Sequence, residues 1–331
     1  MPETIRVVQY GLGPIGSAVA RHIVERAGLE LVGGVDVDRQ KVGKDVGEVV
    51  SLQRQLRFPV TATLAETLAR TPADVVTHCT SSYFDRFLPQ VMEILSAGLD
   101  IVSTSEELSF PWLAHAREAA EVDAAAQRAG KTVLATGVNP GFLMDSLPLH
   151  LTAICQRVDH IAVTRVSNAT TRRGPFQAKI GSGMTVQEFT AKMAKGRMGH
   201  VGLLESAGMV LHTLGKKLVH FESVVEPVVA EQRITTPYFD VAPGHVRGIK
   251  QTARAYAPEG EFLRLTFIAA LDASPEHDTI SITGVPDLKL TLEGTNGDLA
   301  TVAIAVNAIK RVRAAAPGLV TMRDLPIITA W

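Results

Sequence analysis

The feature that most constrains this chain is Gly11-Leu12-Gly13-Pro14-Ile15-Gly16, a G-x-G-x-x-G that directly follows the apolar run 5–10 and opens the periodic stretch 17–27. The pattern alone is weak. Placed strand, turn, helix, with the acidic Asp36 twenty positions after Gly16, it has the spacing of a dinucleotide-binding βαβ unit. Gly11 then serves the tight turn, Gly13 lets the backbone approach a pyrophosphate, and Gly16 lets the helix lie close to the strand. The helix N-terminus turns its open N–H groups and positive dipole end toward the phosphates. A structural glycine turn in some other α/β protein is the bland alternative. Position, flanking pattern and Asp36 together argue against it.

The rest of the first half repeats the alternation of strand and helix. Residues 29–37, 59–63, 73–79, 99–104 and 131–136 read as strands, and 64–70 and 86–97 as helices, the latter capped by Asp85 and stopped by Gly98. Pro111 is expected to begin an Ala-rich helix to Gln127, ended by Gly130. Such alternation implies a parallel sheet covered on both faces, with ligands at the strand C-termini. Asp36 there favours NAD through the adenosine ribose hydroxyls. Arg39 and Lys41 follow at once and could hold a 2′-phosphate, so the cofactor is NAD or NADP. Thr80, Ser81 and Ser82 form a polar loop at the same edge, and Asn139 lies in another, residues 137–142; these four join the glycine loop as expected cofactor contacts.

Beyond about residue 148 the pattern changes to longer strand-like stretches, 158–167, 218–234, 246–256, 262–271, 279–283 and 288–292, interrupted by helices at 185–194 and 200–214. The fold class is therefore α/β: a Rossmann-type parallel-sheet domain at 1–147 and a second, α+β domain on a mostly antiparallel sheet at 148–296. Residues 297–331 carry a last helix, 299–315, and a short tail, expected by fold-level analogy to return to the nucleotide domain.

With 46% hydrophobic and 20% charged residues and a net charge of −1 over 331 residues, the chain has neither the composition of a disordered protein nor a basic surface for nucleic acid or anionic membrane. No stretch approaches about 18 uninterrupted apolar residues, and Met1-Pro2-Glu3 leads almost straight into a strand without a signal-peptide pattern. Cys79 and Cys155 show no C-x-x-C spacing, and no H-x-x-x-H or H-E-x-x-H occurs, so no metal site is expected. A soluble cytoplasmic protein with small-molecule partners, or itself, is the expectation.

Hydride chemistry needs a group that manages a proton beside the nicotinamide. Glu106 and Glu107, just past a strand at the ligand-binding edge, are candidates, and partial burial there would raise a carboxyl pKa usefully. The bland reading makes them first-turn carboxylates behind a Ser105 cap. His200, set among glycines at an expected helix start, is the third catalytic candidate, against a plain structural histidine. Thr170-Thr171-Arg172-Arg173 could meet an anion, although adjacent arginines more often form a solvated surface. Phe142, Leu143, Met144 and Phe176 offer apolar lining for a substrate pocket, with Asn168 and Gln177 as its polar members.

These residues resemble the 2,4-diaminopentanoate dehydrogenase family and its relatives, the native amine dehydrogenases. Besides the glycine loop the likeness covers Ser103-Thr104-Ser105-Glu106-Glu107-Leu108, Gly137-Val138-Asn139-Pro140-Gly141-Phe142-Leu143-Met144-Asp145, Gly199-His200-Val201-Gly202 and Gly297-Asp298-Leu299-Ala300-Thr301, and so nearly the whole chain. It implies NAD(P)-dependent interconversion of an amine with a ketone plus ammonia, a homodimer, and a catalytic glutamate in the first of these segments; the motif does not choose between the two, and Glu106 is preferred. The nucleotide half also resembles dihydrodipicolinate reductase, whose H-H-x-x-K-type signature is absent. A non-catalytic redox sensor is the alternative from a different class, without any helix-turn-helix or basic patch to support it.

Overall fold

Strand β1 (Ile5–Tyr10) is buried along most of its length, as a strand covered on both faces must be, and delivers the chain through the glycine loop into α1 (Pro14–Glu25). The structure, a computed structural model, describes residues 4–196 and 198–331. Residues 1–3, read above as a leaderless start, and Arg197 in the joint between two expected helices lie outside the described residues. The chain divides into two compact units, Met1–Phe142 with Gly297–Trp331, and Leu143–Asn296.

In the first unit the order continues β2 (Leu29–Val35), α2 (Val46–Val49), β3 (Val60–Thr61), α3 (Leu64–Leu68), β4 (Val75–His78), α4 (Phe84–Ser96), β5 (Asp100–Ser103), α5 (Ala116–Ala129) and β6 (Thr132–Ala135). Two corrections arise here. Helix α4 starts at Phe84 with Tyr83 in the cap position, so Asp85 sits inside its first turn and caps nothing. The Ala-rich helix starts at Ala116: Pro111–Leu113 form a separate 3₁₀ turn, and the chain breaks at His115, whose ring stacks on Phe84 at 4.6 Å. Gly130, in the left-handed conformation, ends α5 as its sequence position requires.

The second unit comprises α6 (Ser146–Thr152), β7 (Arg157–Asn168), α7 (Gly174–Lys179), α8 (Val186–Met193), α9 (Leu203–Thr213), β8 (His220–Val229), β9 (Ile234–Thr235), β10 (Asp240–Val241), β11 (Val246–Ala257), β12 (Gly260–Ala270), β13 (His277–Val285) and β14 (Leu288–Glu293). Among the described residues six strands form one sheet in the order β14-β13-β7-β12-β11-β8, antiparallel throughout except for the β7–β12 pair. Strand β7 alternates strictly, with Ile161, Val163, Arg165 and Ser167 buried and Ala162, Thr164, Val166 and Asn168 half-buried, so one face meets the core. Leu203, Ala207, Val210 and Leu211 of α9 share that core with Ile161, Val163, Leu263 and Leu265. The single strand expected over 218–234 is interrupted after Val229, and α6 and α7 were not anticipated.

The chain then returns to the first unit. Helix α10 (Gly297–Ala314) packs on α1 and crosses β5, and β15 (Gly318–Val320) pairs with β6. Among the described residues the first sheet has seven strands, all parallel, ordered β15-β6-β5-β4-β1-β2-β3. Strand order reverses between β1 and β4. The crevice outside the C-terminal ends of those two strands is where sheets of this kind hold ligands.

Candidate functional site

Three loops leave the C-terminal edge of the neighbouring strands β1, β4 and β5. The first is the glycine loop. Gly11 has φ +87°, and a Cβ on it would lie 2.4 Å from the Cys79 carbonyl oxygen; on Gly16 a Cβ would lie 1.9 Å from the Gly11 oxygen. These two glycines weld helix, turn and strand together. Gly13 differs, because a Cβ there would meet nothing within 4 Å. No side chain caps α1, and Pro14 occupies its first turn, so the N–H groups of Ile15 and Gly16 have no partner within the helix. An open cradle over a helix N-terminus fits the diphosphate of a dinucleotide. Leu12 is buried, and its N–H donates to Asp36.

Asp36 follows β2 directly and is a busy carboxylate. Oδ2 accepts from the Leu12 N–H at 2.8 Å and from Lys41 Nζ at 2.9 Å, and Oδ1 accepts from the Asp38 N–H at 2.9 Å. Burial pushes its carboxyl up, but the hydrogen bonds from Lys41, Asp38 and Leu12 outweigh that and hold it below the ordinary range. Arg39, expected beside the ribose, is exposed; Lys41 is the cation that reaches Asp36.

The second loop is Thr80-Ser81-Ser82. Thr80 Oγ1 donates to Gln90 Oε1 at 2.7 Å, and Ser81 Oγ accepts from the Tyr83 N–H at 3.2 Å. Ser82 lends its carbonyl to the Glu107 N–H at 3.3 Å, which joins this loop to the third.

That third loop, Ser105 to Leu108, is a 3₁₀ turn after β5. Ser105 does not cap it: its hydroxyl is buried without a hydrogen-bond partner. Glu107 does not answer its own turn either. Its carboxylate accepts the Phe84 N–H at 2.6 Å, capping α4, and stands 3.4 Å from His115 Nε2. Glu106 is half-buried beside it. Asn139, on the turn after β6, is buried, and the neighbouring Val138 N–H donates to Thr301 Oγ1 of α10 at 3.2 Å.

Sequence reasoning missed His78, the fully buried end of β4. Its Nδ1 lies 3.0 Å from Ser103 Oγ, and its Nε2 lies 2.8 Å from Gln90 Oε1 and 3.0 Å from Thr80 Oγ1. With the Gln90 oxygen as acceptor, Nε2 carries the proton and Nδ1 accepts from Ser103, whose oxygen in turn accepts the Ser105 N–H at 3.1 Å. Burial lowers the His78 pKa to about 4. One neutral imidazole thus ties the second loop to the third. The signal was an imidazole ending an apolar parallel strand.

Of the expected pocket residues, Phe142 ends the first stretch of the first unit and the others lie in the second unit. Leu143 and Met144 are 1% and 0% exposed, Met144 within the apolar core. Gln177 is buried; its Nε2 lies within hydrogen-bond distance of the carbonyls of Ala169, Thr170 and Arg172, and its Oε1 accepts from Thr236, locking a loop. Asn168 Oδ1 accepts the Thr170 N–H in a local turn, and Phe176 lies under the Arg172 guanidinium at 4.2 Å. Phe142 is 37% exposed. His200 precedes α9 rather than starting it; Gln251 brackets its backbone N–H and carbonyl, and its ring lies 4.9 Å from Phe267. Arg165 and Asp278, buried opposite one another on β7 and β13 at 3.5 Å, were also missed. Burial raises the Asp278 carboxyl despite Arg165. A charged residue at the inward parity of an alternating strand was the clue.

Among the described residues no helix is long and apolar enough to cross a membrane, and no group of three or more His, Cys, Asp or Glu side chains could hold a metal ion.

Residues 142–331 match the family model of the 2,4-diaminopentanoate dehydrogenase C-terminal domain, and residues 5–103 that of the dihydrodipicolinate reductase N-terminus. The 2,4-diaminopentanoate dehydrogenase of Acetoanaerobium sticklandii is 30% identical over 98% of this chain and 94% of its own length. An amine dehydrogenase of Streptomyces virginiae is 23% identical over 98% and 96%. The solved amine dehydrogenase from Mycobacterium smegmatis aligns with a TM-score of 0.88 at 26% identity, covering 99% of this chain and 97% of that one. A Synechocystis biliverdin reductase, at 11% identity and a TM-score of 0.55 over 97% and 94%, shares the fold alone. With more than half of its length matched by the family model and near-complete coverage of a relative at 30% identity, this chain belongs to the 2,4-diaminopentanoate dehydrogenase family.

Proposed function

We propose that the protein is an NAD(P)-dependent amine dehydrogenase that interconverts an amine, either a small alkyl amine or a diamino acid of the 2,4-diaminopentanoate type, with the corresponding ketone and ammonia. The observation that carries this reading is the placement of an open diphosphate cradle and a carboxylate-bearing turn on loops of one sheet edge, separated by a single strand. The bound dinucleotide supplies the hydride acceptor, or the donor in the opposite direction.

The protein's part is to hold and move protons. An alkylammonium has no lone pair with which to expel hydride, so a base must first take an N–H proton; Glu106 is assigned that role. Removal of hydride from carbon then leaves a cationic C=N, which an ionised carboxylate stabilises and to which water adds before ammonia leaves. Overall, a substituted ammonium, oxidised cofactor and water become ketone, ammonium ion, reduced cofactor and a proton. The commitment of Glu107 to the first turn of α4 supports Glu106 as the acid–base group, with His200 next in line. Glycine loop, Asp36, the Thr80–Ser82 loop and Asn139 are assigned to the cofactor, and Phe142 and Phe176 to the substrate.

A homodimer in the cytoplasm completes the reading. Its support is the half-buried face of the second sheet, where Thr279, Thr164, Thr266 and Thr252 stand in one row, short and uncharged, together with two free thiols, Cys79 and Cys155. One preparation tests the proposal: light scattering should give twice the 35.5 kDa chain mass, and amines should reduce the cofactor. In reverse, ketone should consume reduced cofactor only with ammonia present. Ketone reduction at full rate without ammonia points to an alcohol dehydrogenase, and binding without any turnover points to a sensor.

A further inference from the structure

Lys41 occupies an unusual seat. Its ammonium donates to Asp36 Oδ2 at 2.9 Å and to the Leu12 carbonyl at 3.1 Å, and lies 3.8 Å from Asp38 Oδ2. It therefore bridges the middle of the glycine loop and the carboxylate that should meet the adenosine ribose. The side chain is about one quarter exposed, at 27%, against 10% for Asp36, so the cation is the outer member of the pair.

A carboxylate offers about four acceptor positions. Asp36 has already given one to Leu12 N–H, one to Asp38 N–H and one to Lys41. Two ribose hydroxyls cannot both be received while Lys41 stays. Charge matters as well: a bare Asp36 would repel a 2′-phosphate, whereas the Asp36–Lys41 pair is neutral and carries a movable cation at its solvent side.

We infer that Lys41 is the cofactor-selecting residue, displaced from Asp36 when nucleotide binds: it vacates the carboxylate for the 2′-hydroxyl of NAD(H), and it becomes a direct ligand of the 2′-phosphate of NADP(H), so that this chain accepts both. This rests on the dinucleotide reading above. It gives Lys41, rather than the exposed Arg39, the deciding role, because only Lys41 is engaged by both the loop and the carboxylate.

The test is binding, independent of turnover. Dissociation constants for NADH and NADPH are measured by nicotinamide fluorescence for the wild type, Lys41→Met, Lys41→Arg, Asp36→Asn and the Lys41→Met/Asp36→Asn double variant, with thermal melts alongside. Lys41→Met should weaken NADPH tenfold or more and leave NADH within about threefold or tighter, since one charge-assisted contact is lost in the first case only. Lys41→Arg should retain NADPH. The NADPH loss should persist in the Asp36→Asn background, where the Asp36 charge is gone and only the more distant Asp38 remains beside Lys41. If it vanishes there, Lys41 acts only as a counter-ion to Asp36 and the inference is overturned; equal losses for both cofactors overturn it too. A wild type that binds neither nucleotide removes the dinucleotide reading and this inference together, whereas binding of both with no effect of Lys41→Met removes this inference alone.

Discussion

Adjacent carboxylates at the end of β5 meet different surroundings. Glu107 has its oxygen on the Phe84 N–H and caps α4, while Glu106 stands half-buried on the same turn. Glu106→Gln should lower kcat by about 10² to 10⁴, the usual loss of a general base. Glu107→Gln should cost about 1 kcal/mol of stability, an amide oxygen being a weaker cap than a carboxylate, and change turnover little. Steady-state rates at saturating cofactor, with denaturant curves for both variants, check the pair; an active Glu106→Gln beside an inactive Glu107→Gln reverses the assignment. His78 supplies a pH signature. Its folded pKa, about 4, lies below the ordinary 6.5, so the unfolded chain binds the proton more readily between those values. The stability this residue contributes is complete above about pH 6.5 and is lost as pH falls toward 4, by about 2 kcal/mol between pH 7 and pH 5. In His78→Phe, urea unfolding at those two pH values should differ by that much less than in the wild type. An unchanged difference would show that the imidazole is not held neutral.

At the scale of elements, the strand–loop–helix unit at the N-terminus separates two uses of glycine. Gly16→Ala forces a Cβ against the Gly11 oxygen and should cost about 3 kcal/mol or more through overpacking. Gly13→Ala meets nothing, and its φ of −68° suits alanine, so the melting temperature should stay within about 2 °C. Dinucleotide affinity should nevertheless fall about tenfold or more, because the new methyl fills the space a diphosphate needs. Calorimetry and cofactor titration of the two variants separate these outcomes. The same region shows what a sequence can disclose. The glycine loop, Asp36 and the parallel strands were legible because their signals are local: a turn that requires positive φ, an apolar run, a spacing. The break at His115 was not, since a distant ring, Phe84, and Glu107 fix that residue outside a helix that local propensity would have continued. Helix α7, six residues opening with Gly174-Pro175, and α6, with Pro148 inside it, are too short to show a period. The partners of Gln177 were illegible for a related reason: its amide is held by carbonyls five to eight residues away along the chain, a contact no local pattern announces.

For the whole molecule, the two units are threaded differently. Leu143–Asn296 is one unbroken stretch of chain, whereas the other unit takes Met1–Phe142 and then Gly297–Trp331 from far downstream. The change of hydrophobic pattern beyond residue 148 revealed that a second unit exists, and the return of α10 followed from analogy. The three residues of β15 carry no period and passed for a tail. That small strand governs the order of events during synthesis. A ribosome delivers the chain from its first residue, yet the edge of β6 cannot receive its parallel neighbour, nor α1 its covering helix, until residues 297–320 have emerged. The unit that begins first is thus the last to be completed, and while residues 143–296 are being made the nascent sheet waits with β6 as an open edge, the kind of surface that invites a wrong partner.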